Sequence, residues 1–221
     1  MEEHIRTVLG KEKDFDQIIN EIYRVIDDES DQRKRRNKIA KRIQELKKIY
    51  LAAHYDAVTD PLTDCFNKKH ISDFFYYQRS FAKRNGQYFS LVAIDMDYLK
   101  YINDTFGHDV GDKIIKKVSD AIKKNIREND LLFRYGGDEF VLLCIHNEKD
   151  GIDRIVTRIK KEVNGIKSAK GFKPDITIGC VTLKDKKNNI TFTAMFKKAD
   201  GVLYKEKHKR KPPKFLNGDS Y

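Results

Sequence analysis

The chain has 221 residues, of which 39% are hydrophobic. This length suits one domain of roughly 150 residues with some additional helix and excludes two large domains. The longest apolar runs fall far short of the ~20 residues of a membrane-spanning helix, and the start Met-Glu-Glu-His does not resemble a secretion signal. We therefore expect a cytoplasmic protein without a membrane span. Three widely spaced cysteines without a CxxC pair predict reduced thiols: Cys65, Cys144 and Cys180.

The formal net charge of +11 raises the question of a nucleic-acid partner, because clustered Lys and Arg attract phosphates. Much of the excess lies in two stretches, 33–48 and 205–214, which contain no interleaved aromatic residues for base stacking. A solvated helix face and a basic tail are the favoured interpretation. We expect no nucleic-acid partner, and steep salt dependence of DNA retention would support the alternative.

Residues 1–58 predict a helical segment in two pieces. Apolar residues from Phe15 to Ile26 recur at three- and four-residue spacing, and the polar stretch 27–31 then ends the first helix. Ser30 or Asp31 can cap the second helix. Its apolar positions alternate by four and three residues: Ile39, Ile43, Leu46, Tyr50, Ala53 and Ala57. This spacing predicts a short coiled-coil seam, with a helix packed on its own domain as the alternative.

Residues 59–221 form the second predicted region, in which strands and helices alternate. The predicted strands are 88–95, 131–135, 140–145 and 175–183, and the predicted helices are 110–126, 152–163 and 192–206. The second and third strands flank a Gly-Gly turn as a hairpin. Strand, helix, hairpin, helix and strand give the βαββαβ order of a ferredoxin-like α+β fold, for which we expect helices on one face of the sheet.

Acidic residues interrupt the apolar pattern at two places. Asp95 and Asp97 end the first predicted strand, and Asp138 and Glu139 lie at the hairpin tip. In this topology the tip can lie beside the end of the first strand, so four carboxyl groups would converge. Neighbouring carboxylates resist joint ionisation unless a cation neutralises them. Open oxygen sites suit Mg²⁺, which prefers one or two carboxylates plus substrate phosphates. The pattern therefore predicts a nucleoside-triphosphate site.

The run 134–140, Arg-Tyr-Gly-Gly-Asp-Glu-Phe, resembles the signature of the GGDEF diguanylate cyclases. Further segments that resemble the family occur in its order: Asp60 to Thr63 with Asn67, Asp95 to Asp97 through Lys100, Ile102 to His108, Gly111-Asp112, Thr177 to Gly179, and Ala199-Asp200 with Leu203, Tyr204 and Lys207. The resemblance implies a bacterial second-messenger enzyme. Its GGDEF domain would resemble nucleotide cyclases and polymerase palms and would follow the N-terminal helical segment.

The resemblance implies the condensation of two GTP molecules into cyclic di-GMP and two pyrophosphates. The ribose 3′-hydroxyl would attack in line, with two Mg²⁺ ions per active site or Mn²⁺ in their place. The implied metal ligands are Asp95, the backbone carbonyl of Met96, Asp138 and Glu139. Asp138 or Glu139 would help to remove the hydroxyl proton, and the sequence does not divide this role between them.

The implied phosphate contacts follow the first acidic strand. Lys100 and Lys207 would supply positive charge. The backbone N–H groups of Tyr98, Leu99 and Lys100, in the turn after the strand, would hold the β- and γ-phosphates. Lys211 stands where the family usually carries Arg and keeps the charge without the planar fork, and Arg210 is the alternative replacement.

The implied guanine contacts are Asn103 and Asp112, with His108 close to the same nucleotide. A carboxylate that accepts from the base N1–H and the exocyclic amine matches guanine and not adenine, so GTP would be preferred. The entry segment departs from the family at Asp64 and Cys65, where Gly and Leu are usual. This departure affects that loop and not the metal site.

Arg127 and Asp130 match the family's RxxD inhibitory motif ahead of the Gly-Gly turn. The guanidinium can bind a phosphate or the Hoogsteen edge of guanine, and the carboxylate can accept from the base, so bound product would restrain the enzyme. An inert domain that serves only as a cyclic di-GMP receptor is the second function; inert members usually lose signature acids that are present here. A homodimer is implied because each site holds one GTP and the two hydroxyls attack across a twofold axis.

Overall fold

The computed structural model describes residues 17, 19–24, 32–167, 172–184 and 190–209. The chain divides into two compact units, Met1–Pro61 and Leu62–Tyr221. Within the described residues, every helix is too short or too polar to cross a membrane. The predicted boundary between the helical segment 1–58 and the domain 59–221 stays a prediction.

The first unit is helical where it is described. Residues 19–24 are helical, and helix α1 is Gln32–Val58. The Arg42 side chain pairs with Glu21 of the first helical stretch and with Glu45 of its own helix. Two members of the predicted seam, Ile43 and Tyr50, are 55% and 57% exposed. Several residues of the sequence-based prediction lie outside the described ones: Phe15, Ile18, Val25, Ile26, Ser30 and Asp31.

The second unit contains five strands and five α-helices within its described residues. The strands are β1 (Phe66–Asn67), β2 (Tyr88–Asp97), β3 (Leu131–Arg134), β4 (Glu139–His146) and β5 (Asp175–Leu183). The helices are α2 (Ile71–Arg84), α3 (Leu99–Phe106), α4 (His108–Asn125), α5 (Gly151–Asn164) and α6 (Phe192–Lys209). All four predicted strands and all three predicted helices of this region are present. The elements β1, α2 and α3 were not predicted.

The sheet has the strand order β1-β3-β4-β2-β5. Strand β2 runs antiparallel to β4 and β5, β3 and β4 form the predicted hairpin, and β1 adds a parallel pair at the edge of β3. Without β1, this is the order of a ferredoxin-like sheet. The α+β, ferredoxin-like prediction is confirmed.

Helices cover both faces of this sheet, so the expectation of helices on one face was wrong. Side chains alternate along each strand. In β2, Val92 and Ile94 face the cluster that α3, α4 and α5 complete, whereas Leu91 and Ala93 face α2 and α6. The helices α2 and α6 lie outside the βαββαβ unit in sequence and bring their own apolar stripes, which bury the second face.

The backbones of β5 and α6 meet at Gly179. A Cβ atom at this position would lie 2.1 Å from the carbonyl oxygen of Ala199 and 2.4 Å from the backbone nitrogen of Leu203. Only glycine permits this approach. It fixes the path of α6 across the sheet and thereby the position of Lys207, one turn beyond Leu203.

Candidate active site

The hairpin tip lies beside the end of β2. Asp95 and Glu139 are directly opposite each other in the antiparallel register. The Met96 N–H donates to the Asp138 carbonyl oxygen at 3.0 Å, and the Tyr135 N–H donates to the Glu139 carbonyl oxygen at 2.8 Å. These bonds hold both predicted acidic segments at one end of the sheet.

Asp95 is the half-buried member of this acidic end. Burial raises its pKa to about 6; Lys207 lowers the pKa, and the Asp138 and Asp97 carboxylates raise it. The Lys207 Nζ donates to Asp95 Oδ1 at 2.5 Å. Helix α6 therefore brings its cation to an acid whose pKa burial has raised.

Asp97 and Glu139 are held differently from Asp95. The buried Asp97 carboxylate accepts from the Thr177 hydroxyl on β5, at 2.9 Å to each oxygen. Glu139 is exposed, and its carboxylate folds back over the turn, where a Cβ atom at Gly136 would lie 2.4 Å from Oε2. The structure thus brings Asp95 and Asp138 together and ties Asp97 to the neighbouring strand.

The acidic end offers an incomplete set of metal ligands. Among the described side chains, no three His, Cys, Asp or Glu form a group that could hold a metal. Asp95 and Asp138 offer two carboxylates, and Met96, bonded to Asp138 through its N–H, offers a backbone carbonyl. Mg²⁺ suits such a set, because it keeps several waters and takes substrate phosphates as ligands. The residues fit a divalent-cation site that further oxygen ligands would complete.

The turn after β2 has the geometry of an anion site. Tyr98 is left-handed, with φ 64° and ψ 19°, and α3 begins at the next residue, Leu99. A left-handed residue followed by a helical one directs successive backbone N–H groups to one side, where they can bind phosphate oxygens. Lys100, in the first helical turn, is exposed. The predicted phosphate-binding residues therefore lie in a suitable turn.

The predicted guanine contacts lie where α3 meets α4. Gly107, with φ 87°, turns the chain between the two helices. The Asn103 side-chain oxygen is buried without a hydrogen-bond partner in the described part of the chain. It lies against Gly111, where a Cβ atom would be 1.8 Å away. Because an unpaired buried acceptor costs about 1–3 kcal/mol, this atom is suited to a ligand donor. His108, the first residue of α4, and Asp112, four residues later, are exposed.

The RxxD segment is a tight turn before β3. The Asp130 N–H donates to the Arg127 carbonyl oxygen at 3.0 Å, and the Arg127 N–H donates to Asp130 Oδ2 at 2.9 Å. The Asp130 side chain is buried, and this burial raises its pKa. Arg127 is exposed. Asp130 is thus partly engaged within the turn, and the guanidinium is the more accessible group of the pair.

A cleft of about 590 Å³ lies beside Arg127, and we call it the arginine cleft. Arg154 and Arg158 of α5 also line it. Arg158 donates to the Asn125 carbonyl oxygen at 2.9 Å, and Arg154 pairs with Glu148. The sequence analysis missed both arginines. Their four-residue spacing on a predicted helix placed them on one face, but nothing in the sequence placed that face beside the RxxD turn.

The remaining predicted residues are placed as follows. Lys211 and Arg210 lie outside the described residues. All three cysteines are thiols and not disulfides, as predicted. Burial raises the pKa of Cys180 to about 11 and the pKa of Cys144 well above its ordinary value, so neither thiol is readily ionised. Asp64 is left-handed, with φ 53°, where the resemblance expects Gly.

Comparison with known sequences identifies relatives of the chain. Residues 57–212 match the family described as "Diguanylate cyclase, GGDEF domain". The chain is 35% identical to diguanylate cyclase DosC of Escherichia coli K12 over 133 residues, which is 60% of this chain and 29% of DosC. It is 38% identical to the response regulator PleD of Caulobacter vibrioides over 109 residues, 49% of this chain and 24% of PleD. The chain thus spans less than a third of these curated relatives.

Solved structures show the same fold. The GGDEF domain of DgcB from Caulobacter crescentus, in complex with c-di-GMP, has a TM-score of 0.63 and 26% identity, covering 69% of this chain and 91% of that domain. The coiled coil and GGDEF domain of DgcB, also with c-di-GMP, has a TM-score of 0.70 at 23% identity. The match covers 80% of this chain and 94% of that one. At that identity the second likeness shows the fold alone.

Proposed function

The chain belongs to the GGDEF family of diguanylate cyclases, and we propose that it condenses two GTP molecules into cyclic di-GMP and two pyrophosphates. The observation that carries the proposal is the register of the acidic end. Asp95 lies opposite Glu139, and Met96 is bonded to the Asp138 backbone. The family signature is therefore complete in sequence and assembled in space.

Mg²⁺, two ions per site or Mn²⁺ in their place, would be held by Asp95, the Met96 carbonyl, Asp138 and Glu139. When bound, such ions neutralise charge on the leaving pyrophosphate and ease deprotonation of the ribose 3′-hydroxyl. Asp138 or Glu139 takes that proton. The ribose 3′-oxygen then attacks the α-phosphorus of the second GTP, and the bond between that phosphorus and the leaving pyrophosphate breaks. Repetition in the opposite direction closes the ring.

The substrate is held by the groups around this end. The N–H groups of Tyr98 to Lys100 bind the β- and γ-phosphates, and the Lys100 and Lys207 ammonium groups add positive charge. Lys207 Nζ is already at the acidic end, 2.5 Å from Asp95 Oδ1. Lys211 would extend this charge.

The guanine is read where α3 meets α4. The unpaired Asn103 oxygen accepts from the exocyclic amine, and Asp112 accepts from the base N–H groups, with His108 beside the nucleotide. Adenine offers an acceptor where guanine offers N1–H, so ATP leaves Asp112 unpaired.

The experiment that tests this function is pyrophosphate release with Mg²⁺ and either GTP or ATP. We expect release from GTP and almost none from ATP, because a site built to bind specific donors rejects the analogue that lacks them. Equal release from both nucleotides would contradict the guanine assignment. Cyclic di-GMP binding without any release from GTP would instead identify a receptor.

The reaction needs two sites that face each other, so we propose an active homodimer. The support is on α1, where Ile43 and Tyr50 of the predicted seam are more than half exposed. Replacing both by Lys in the full chain should lower activity per mole most at dilute protein, because a coiled coil raises the effective concentration of one site near the other. Gln44→Lys, also exposed on α1 but outside the seam, is the control. Equal activity at every concentration would contradict a role of the seam.

We also propose product feedback at Arg127, Asp130 and the arginine cleft. Three guanidinium groups, those of Arg127, Arg154 and Arg158, line one cleft, and such groups bind phosphates in bidentate geometry. Arg127→Ala should accumulate more product before stalling, whereas Lys161→Ala, which removes an exposed charge on α5, should not. Progress curves with added cyclic di-GMP test this. Equal inhibition of the parent and Arg127→Ala would place feedback elsewhere.

A further inference from the structure

A buried polar network lies at the opposite end of the sheet from the acidic end. His146, the last residue of β4, is only 3% exposed. Its Nε2 lies 2.7 Å from Ser90 Oγ on β2, and Ser90 Oγ lies 2.7 Å from Thr182 Oγ1 on β5. Its Nδ1 lies 2.6 Å from the Glu148 carbonyl oxygen. One imidazole thus links the sheet to the turn that follows it.

The carbonyl partner fixes the direction of one of these hydrogen bonds, and in the neutral ring the directions of the other two follow from it. A carbonyl oxygen can only accept, so Nδ1 of His146 carries the hydrogen and donates it to Glu148. In the neutral ring Nε2 then accepts from the Ser90 hydroxyl, and Ser90 accepts from Thr182. Each of the three hydrogen bonds then has one donor and one acceptor. The network therefore holds the ring in one orientation.

The ring supports the start of α5. Gly151, the first residue of this helix, lies so close that a Cβ atom there would be 3.1 Å from His146 Nδ1. The Tyr88 ring stacks on the imidazole, with centroids 5.7 Å apart and planes at 7°. The Glu148 carbonyl also accepts from the Gly151 N–H at 3.0 Å. His146 and its turn thus set the point at which α5 begins.

The face of α5 that rests on His146 is the face that carries the arginines. Gly151, Arg154 and Arg158 follow at spacings of three and four residues, which places them on one side of a helix. All three line the arginine cleft, as does His146 itself. A shift of the first turn would therefore move two of the three guanidinium groups relative to Arg127.

We propose that His146 is a positioning residue of the arginine cleft: held by Ser90 and Glu148, it fixes where Arg154 and Arg158 lie relative to Arg127. The inference rests on the proposed function, because it takes cyclic di-GMP as the ligand of the cleft. His146 contacts neither the reacting atoms nor the catalytic acids. It pairs with Tyr88 in the ladder, whereas Glu139 pairs with Asp95, seven residues along β2 and so roughly 23 Å away.

The test is calorimetric titration of cyclic di-GMP into the full-length parent, His146→Phe and Ser90→Ala. His146→Phe keeps a planar ring and removes both hydrogen bonds, so we expect binding to weaken about tenfold. Ser90→Ala removes one donor, and we expect a loss of roughly threefold. Ser119→Ala is the control, because it deletes a buried hydroxyl that donates to the Lys116 carbonyl oxygen at 2.8 Å on α4. It should bind like the parent.

The initial rate of pyrophosphate release separates positioning from general damage. We expect this rate, without added product, to stay within about twofold of the parent in all three variants, since the acidic end is unchanged. A parallel fall of rate and binding would identify general destabilisation and overturn the inference. So would a folded Ser90→Ala that binds as tightly as the parent, or a parent that does not bind cyclic di-GMP. A parent that binds the dinucleotide without turnover would defeat the proposed synthesis alone, and the titrations would still decide the role of His146.

Discussion

The two ends of the β2–β4 ladder treat polar groups in opposite ways. At one end, burial and the nearby Asp138 and Asp97 carboxylates raise the pKa of Asp95 to about 6. At the other end, the Ser90 hydroxyl lies between His146 and Thr182, at 2.7 Å from each. The first arrangement costs folding free energy, whereas a fully paired network stabilises the fold. A cluster of acids that is unfavourable by itself is expected at a ligand-binding site. A network in which every hydrogen bond is made is expected where side chains must be held in place.

The largest expected difference between the ends is catalytic. Asp138→Ala or Glu139→Ala should lower cyclic di-GMP formation on the order of 10³-fold, because groups that stabilise transition-state charge contribute this much. The free energy of unfolding should stay equal or rise, since like charges are removed. Rates by mass spectrometry and urea unfolding check both. Glu162→Ala, an exposed acid on α5, is the control. A rate of either variant within about tenfold of the parent would contradict the catalytic role of the acidic end.

The next effect is the pH dependence of stability at the acidic end, in chelator to exclude metal. An aspartate side chain ordinarily has a pKa of 3.8, whereas the pKa of Asp95 is about 6 in the folded protein, so the folded state binds the proton more tightly. The free energy of unfolding should therefore fall as pH rises from about 4 to about 6, by up to about 3 kcal/mol. Asp95→Asn should lack this component. Identical profiles for both proteins would show that Asp95 ionises normally.

A third effect concerns the seating of α6, which brings Lys207 to the acidic end. Gly179→Ala should destabilise the protein by about 1–3 kcal/mol, because the new methyl group would overlap the Ala199 carbonyl oxygen and displace the helix. Gly201→Ala is the matched control, with no atom within 4 Å of the new Cβ. It should stabilise α6 by about 0.5–1 kcal/mol. Chemical unfolding measures both, and a Gly179→Ala protein as stable as the parent would refute the close approach.

The smallest effect lies outside both ends, at the left-handed Asp64. Asp64→Gly should raise the free energy of unfolding by less than about 1 kcal/mol, because glycine adopts this conformation without steric cost. The exposed contact with Lys116, at 3.8 Å, adds little that could be lost. Asp64→Ala should instead destabilise. Thermal unfolding of the parent and the two variants gives their order of stability. An Asp64→Ala protein more stable than Asp64→Gly would contradict backbone strain at this position.

Sequence patterns predicted the elements that have one clear period. Strand β2 interrupts an apolar run with Asp95, and the hairpin carries its glycines at the turn, so the acidic end could be predicted. Helix α2 was missed because exposed aromatics, such as Tyr77 and Phe81, obscure its buried stripe. Helix α3 has only eight residues and β1 only two. Such short elements depend on tertiary packing more than on local preference.

The network of Ser90, His146 and Thr182 could not be predicted from sequence. Ser90 and His146 are 56 residues apart, and Ser90 and Thr182 are 92 apart. These side chains meet only because three strands pair in one register. A slip of one residue would turn the side chains of a strand to the opposite face of the sheet. The arginines of α5 were not predicted as site residues for a related reason. Charged positions on a helix usually face solvent, so nothing marked them as part of a site. Only the packing of α5 near the RxxD turn shows that Arg154 and Arg158 share a cleft with Arg127.

The central claim, that the acidic end condenses GTP, is tested most directly by mass spectrometry of the products from GTP and Mg²⁺. The parent and Asp138→Ala would be compared at equal folded concentration. We predict cyclic di-GMP and pyrophosphate from the parent and essentially none from Asp138→Ala. Intact GTP after incubation with the parent, or cyclic di-GMP formed by Asp138→Ala at the parental rate, would contradict the account.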